Sequence, residues 1–239
     1  MLQVTGLTKV FGGLRAVDDA TLRVDAGRIV ALIGPNGAGK TTLFASIAGF
    51  LPLNAGRVEL LGEDITGLPV HAIARRGMVR TFQITQPFAK LTVHENIAVG
   101  AYQQHAARTQ AWEHARVIAT QLGMQGMLEQ PAADLTVAGR KRLELARALA
   151  TSPKLLLLDE VMAGLNPSEI EDTITIIRKI RAGGVTVLLI EHVMHAVMSL
   201  SDHIYVLSYG KIIAQGSPQE VVNNQAVIEA YLGRGATHA

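Results

Sequence analysis

Eight residues, Gly34-Pro35-Asn36-Gly37-Ala38-Gly39-Lys40-Thr41, constrain this chain more than any others. They fit the pattern G-x-x-x-x-G-K-[ST], which has physical content only where a strand runs straight into a helix. Both flanks are of the right kind. Ile29, Val30, Ala31, Leu32 and Ile33 form a short apolar run of the buried-strand type, and Leu43, Phe44, Ile47 and Ala48 recur at helical spacing afterwards. Three glycines let successive N–H groups turn inward, and the helix opening there aims the positive end of its dipole the same way. Such a cradle suits a phosphate. Lys40 would reach the β- and γ-phosphates of a nucleoside triphosphate, and the Thr41 hydroxyl would hold Mg²⁺. A glycine-rich turn with a chance lysine would require neither flank, so the eight residues in this setting imply a nucleoside triphosphate site.

The chain of 239 residues is long enough for a substantial core, and with 49 % hydrophobic but only 4 % aromatic residues that core is mostly aliphatic. The 22 basic and 20 acidic residues leave a formal net charge of +2, and no long Lys/Arg run is present to track a phosphate backbone. Nucleic acid is therefore not expected as a partner. Cysteine is absent, which excludes disulfide and thiol chemistry and suits a reducing compartment. The first residues show no basic-then-apolar signal pattern, and the longest apolar runs, such as Val185 to Ile190, fall far short of the roughly 20 residues needed to span a bilayer. The expectation is a soluble cytoplasmic protein that reaches any membrane through a partner.

Residues 2 to 30 alternate apolar and polar side chains, as at Thr21, Leu22, Arg23 and Val24, and read as strands broken by a turn at Phe11-Gly12-Gly13. Arg57 to Leu61 reads as another strand, Pro69 to Arg76 as a short helix, and Met78 to Gln83 as extended. From residue 84 the texture changes. Thr92-Val93-His94-Glu95 is a capping box, and Ala106 to Leu122, Gln125 to Glu129 and Gly139 to Ala150 all read helical, so 84–152 is expected to be a helical insertion. Leu155 to Leu158 then runs as a buried strand into Asp159-Glu160. Asn166 caps a helix reaching about Ala182, and Gly183-Gly184 stops it. Val185 to Ile190 is the next buried strand, with Glu191-His192 at its end. Ile204 to Leu207 and Ile212 to Ala214 are strands joined through Tyr209-Gly210, and Ser217 to Glu220 caps the closing helices. Alternating strands and helices with continuously apolar strands mean an α/β fold with a largely parallel sheet.

In an open parallel sheet, ligands sit at the carboxyl ends of the strands. Four strands end here in polar residues suited to phosphate chemistry: Gly34 to Thr41, Gln83, Asp159-Glu160 and His192. An aspartate after four leucines is costly to bury without a cation, and Mg²⁺ shared with Thr41 is such a cation. Glu160, one residue on, is placed to orient or deprotonate water. His192 is either a satisfied polar residue at a strand end or a γ-phosphate contact. Together with Glu191 and His195 it meets neither spacing of the helical zinc motifs. Phe11 is either core or a flat face for a purine base.

Taken in order, these residues resemble the ATP-binding subunit of ABC transporters, and the resemblance covers essentially the whole chain. It implies a P-loop NTPase core of the RecA-like, ABC ATPase kind: a parallel sheet with an antiparallel β subdomain and an inserted helical subdomain. The division would be 1–83, 84–152 and 153–239. It casts Phe11 as the adenine-stacking aromatic, and Gly34, Pro35, Asn36, Gly37, Ala38, Gly39, Lys40, Thr41 and Thr42 as the Walker A loop. Gln83 becomes the Q-loop glutamine, one of the catalytic residues and, with Thr41 and Asp159, a ligand of Mg²⁺. Glu160 becomes the catalytic glutamate and His192 the switch histidine, with ATP as the nucleotide.

The family's signature, Leu-Ser-Gly-Gly-Gln, is matched only loosely by Leu135-Thr136-Val137-Ala138-Gly139. Thr136 keeps a hydroxyl for a γ-phosphate and Gly139 stands at the new helix, but the two central glycines are Val137 and Ala138. Val161 replaces a usual proline after Glu160, and Asn166 a usual aspartate. The stretches Phe11 to Ala16, Arg80 to Gln83, Ala163 to Pro167 and Val227 to Gly233 look like those of branched-chain amino acid importers. That resemblance implies work at the cytoplasmic face of the inner membrane, with permease subunits, a second ATPase subunit (an identical copy or a relative) and, indirectly, a periplasmic binding protein. Urea or amide importers, a lipopolysaccharide-extraction ATPase and a soluble ABC ATPase are the alternatives. The loop after Gln83, with Pro87 and Phe88, is expected either to border the groove receiving a permease helix or to pack internally.

Overall fold

The structure, a computed structural model, describes residues 1–81 and 86–232. Two sheets organise it. Strands β1 (Leu2–Phe11), β2 (Leu14–Val24), β4 (Ala55–Leu60) and β5 (Glu63–Asp64) form an antiparallel sheet in the order β2-β1-β4-β5. The second sheet runs β10-β9-β3-β8-β7-β6, from β3 (Ile29–Ile33), β6 (Met78–Arg80), β7 (Leu155–Asp159), β8 (Thr186–Ile190), β9 (His203–Ser208) and β10 (Lys211–Gly216). Its strands pair in parallel except for β10, which returns antiparallel on β9 through the Tyr209-Gly210 turn.

The continuous apolar runs of β3, β7 and β8 follow from burial on both faces. Ile29, Ala31, Ile33, Leu156, Leu158, Val187 and Leu189 face one core together with the helices that follow β6. Val30, Leu32, Leu155, Leu157, Leu188 and Ile190 face the other, against α1 (Lys40–Ile47) and the antiparallel sheet. Phe44 of α1 is fully buried there. Burial of a side chain of that size contributes about 1.5–3 kcal/mol, and a charge in place of Leu157, equally buried, would break the sheet from within.

Helix α2 (Val70–Arg75) precedes β6, and α3 (Val93–Ala101), α4 (Arg108–Gln121) and α5 (Val137–Leu149) stand between β6 and β7. The Thr92 capping box is formed: its hydroxyl accepts from the Glu95 N–H, and the Glu95 carboxylate accepts from the Thr92 N–H. Helix α6 (Pro167–Ala182) opens on the same device at Asn166 and Glu169. The chain closes with α7 (Met194–Leu200), α8 (Pro218–Val222) and α9 (Gln225–Leu232).

Two details differ from the sequence expectation, and one alternative it left open is decided. Gln125–Met127 is a 3₁₀ turn rather than an α-helix. Helix α7 was not foreseen; it is seven residues long and no side chain caps its start at Val193, so neither length nor cap announced it. Phe11 is not core: it ends β1 with 46 % of its surface exposed, the Lys9 ammonium 5.0 Å from its ring centre.

Candidate functional site

The loop between β3 and α1 owes its shape to two glycines with neighbours that leave no room for a Cβ. At Gly34 (φ 151°) a methyl group would collide with the Leu207 carbonyl, and at Gly39 (φ 103°) with the Ala16 carbonyl. Gly39 is also the N-cap of α1, so no side chain caps that helix. Among the described residues the N–H groups of Gly37, Gly39, Lys40 and Thr41 find no protein acceptor. They are a row of donors at a positive helix end. Lys40 is buried, and its ammonium donates to the carbonyls of Gly34 (2.7 Å) and Pro35 (3.0 Å). Burial pulls its pKa below the usual lysine range, opposed by the charges of Glu160 and Asp159.

The loop borders a cleft of about 960 Å³ whose walls include Phe11, Ala16, the segment Asn36 to Thr42, Glu160, His192 and Tyr209. The base-facing candidate, the phosphate loop and the candidate hydrolytic side chains of Glu160 and His192 thus share one cavity. The far rim is tied to the loop: the Gly210 N–H donates to Ala38 at 2.9 Å, and the Asp18 N–H to Gly210 at 2.9 Å.

At the end of β7, Asp159 is 1 % exposed. Its Oδ2 lies 2.6 Å from an Arg80 guanidinium nitrogen, in a largely buried ion pair. Oδ1 is buried with no hydrogen-bond partner among the described residues. Thr41 and Asp159 also line a second cavity of about 710 Å³ together. A buried carboxylate oxygen in need of a partner, in a cavity shared with a threonine, is a donor set that fits a hard divalent cation.

Glu160 follows with φ 50°, a left-handed conformation that costs a non-glycine residue on the order of 1 kcal/mol. Its carboxylate meets His192 Nε2 at 2.7 Å. An ionised carboxylate only accepts, so the ring nitrogen is the donor. His195 turns elsewhere, to Glu171 at 2.7 Å.

Thr136 and Gly139 stand apart from this cleft. Thr136 is the N-cap of α5, its hydroxyl accepting the Gly139 N–H at 3.1 Å. Gln83 lies outside the described residues, as does the tail from Gly233. The sequence reading missed Arg80 against Asp159, Lys141 of α5 donating to the Glu160 carbonyl at 2.9 Å, and the buried Glu191. Their adjacency to Gln83, to the loose signature and to His192 was the available signal.

A glycine loop between parallel strand and helix, facing an acid at the neighbouring strand end, defines a P-loop nucleotide-binding protein. The sequence pattern of the ABC transporter family matches residues 17–163, and that of the branched-chain amino acid ATP-binding cassette transporter matches residues 211–237. The chain is 43 % identical, over 98 % of both lengths, to the high-affinity branched-chain amino acid transport ATP-binding protein BraF of Pseudomonas aeruginosa. It is 40 % identical, again over 98 % of both, to LivG of Escherichia coli, which bears the same description. Its fold is similar to a crystal structure of the ADP conformation of an ATP-binding cassette of an ABC transporter, with a TM-score of 0.89 and 33 % identity over 98 % of each chain. The chain belongs to the ABC transporter family, as one of its ATP-binding cassettes.

Proposed function

We propose that this chain hydrolyses ATP and thereby powers uptake of branched-chain amino acids through membrane permease partners. The observation that carries the hydrolysis is the shared cleft: the Lys40 loop, Glu160 and His192 border one cavity, with His192 held 2.7 Å from the Glu160 carboxylate. In this reading the amides of Gly37, Gly39, Lys40 and Thr41 and the Lys40 ammonium bind the β- and γ-phosphates, with Pro35, Asn36, Ala38 and Thr42 shaping the loop. Phe11, half exposed at the rim, offers its face to the base. Glu160 orients and deprotonates the attacking water, and His192 holds that carboxylate in place and contacts the γ-phosphate. Thr41, Asp159 and Gln83 would hold Mg²⁺, which neutralises charge on the phosphates when bound. The lone Asp159 oxygen supports this assignment.

Thr136 and Gly139, which do not line this chain's own cleft, would serve the ATP of a second ATPase subunit, a copy or a relative. The chain would divide at 1–83, 84–152 and 153–239. Among the described residues no helix is long and apolar enough to cross a membrane. Attachment to the cytoplasmic face of the inner membrane would therefore run through the permeases, with a periplasmic binding protein as an indirect partner. Full-length similarity to two proteins described as branched-chain amino acid transport subunits supports that cargo over urea, amide or lipopolysaccharide transport. Co-purification from native membranes in mild detergent is the test. Two polytopic permeases and a second ATPase are expected; lipopolysaccharide-transport subunits, or nothing from the membrane, would overturn the importer assignment.

A further inference from the structure

Glu191 is a buried acid that the hydrolytic scheme above leaves unused. It follows β8 directly, is 2 % exposed, and takes two backbone N–H groups: Met162 on one oxygen at 2.9 Å and His192 on the other at 3.3 Å. Burial pushes its pKa up, against the pull of those two donors and of the Lys141 charge. Met162 lies two residues beyond Glu160. One carboxylate therefore grips both the turn that carries Glu160 and the turn that carries His192.

Lys141 reaches the same place from another element. It is half-buried in the second turn of α5, and its ammonium donates to the Glu160 carbonyl at 2.9 Å. The Glu160 N–H is held from the opposite side by the Ile190 carbonyl at 3.0 Å. These anchors hold a residue whose left-handed backbone is strained if left alone.

We propose that Glu191 and Lys141 are positioning residues for ATP hydrolysis: Glu191 sets Glu160 against His192, and Lys141 ties that pair to α5. Helix α5 begins at Thr136, the cap of the signature segment, so displacement of the signature pulls on the Glu160 backbone through the Lys141 ammonium. Hydrolysis in this chain's own cleft thereby depends on where its signature helix stands. The proposal rests on Glu160 being the hydrolytic base.

The test is steady-state ATP hydrolysis by the purified full-length chain, with Lys141→Met, Lys141→Arg, Glu191→Gln and Glu160→Gln beside the wild type. Lys141→Met is expected to lower kcat about tenfold with KM for ATP held within about twofold, the loss of one charge-assisted hydrogen bond on the turn. Lys141→Arg, which can still donate to the carbonyl, is expected to recover at least about half of kcat. Glu191→Gln offers one acceptor where two N–H groups need one each. It is expected to lower kcat similarly and to speed amide hydrogen exchange at Met162 and His192. Lys141→Met combined with Glu191→Gln should lose less than the product of the two single losses, because both act on one turn. Wild-type kcat in Lys141→Met, a change confined to KM, or no rescue by arginine would overturn the role of Lys141. Unchanged amide exchange in Glu191→Gln would overturn that of Glu191, and that arm stands even if a Lys141 variant fails to fold. Where the wild type hydrolyses ATP and Glu160→Gln stops it, those outcomes remove the positioning proposal alone; a wild type without hydrolysis removes both readings.

Discussion

Two helices of this chain open towards phosphate in the proposed function, and they open in opposite ways. Helix α1 starts at Gly39, which has no side chain to spend on its own amides, and the N–H groups of Gly37, Gly39, Lys40 and Thr41 find no protein acceptor among the described residues. Helix α5 starts at Thr136, whose hydroxyl is already committed to the Gly139 N–H at 3.1 Å. The first end is built for a ligand and is poor as a cap. The second is a well-capped helix that must exchange an internal bond for an external one. An anion site and a good N-cap make competing demands on the same amides. That competition bears on Val137 and Ala138, which stand where the family's glycines usually do: this chain's signature is built as helix.

Substitutions separate the two ends by size of effect. Gly39→Ala should be the most damaging, because the added methyl meets the Ala16 carbonyl and the backbone sits at φ 103°. A loss of ATP affinity of at least about 100-fold is expected in a fluorescent-nucleotide titration. Retained affinity would mean that the loop does not need this shape. Lys40→Met comes next. It removes a buried cation bonded to Gly34 and Pro35, and affinity should fall by roughly 10- to 100-fold. At the other end the effects turn from binding to stability. Thr136→Ala should cost about 1 kcal/mol, read as a fall of about 2–4 °C in melting temperature, with the ATP affinity of the isolated chain unchanged. A fall in that affinity would place Thr136 in its own chain's site and end the comparison. Ala138→Gly should be smallest, about 0.5–1 kcal/mol of helix stability, again without effect on that affinity.

The same contrast explains what the sequence made legible. The strand–loop–helix unit, Asp159-Glu160 and His192 were readable because phosphate chemistry fixes residue types at fixed places on consecutive elements. The caps at Thr92, Asn166 and Ser217 were readable because each is closed within four residues, and all three capping boxes form. What escaped depends on distance across the chain. Arg80 and Asp159 are 79 residues apart and meet because β6 pairs with β7. Lys141 reaches Glu160 from a helix that no local pattern aims at that carbonyl. Glu191 sits beside a histidine that drew attention as a side chain, while its own partners are backbone amides, one of them 29 residues away. Phe11 was open between core and base face because alternation cannot say that β1 outruns its cover; its exposure decides against core.

The most direct test of hydrolysis at this cleft is Glu160→Gln, assayed for both ATP binding and turnover. The change keeps the shape of a side chain held 2.7 Å from His192 and removes its charge and basicity. Turnover is expected to fall by about 10²- to 10⁴-fold while ATP affinity stays near wild type. Turnover within about twofold of wild type, with binding intact, would contradict Glu160 as the base and with it the mechanism drawn from this cleft.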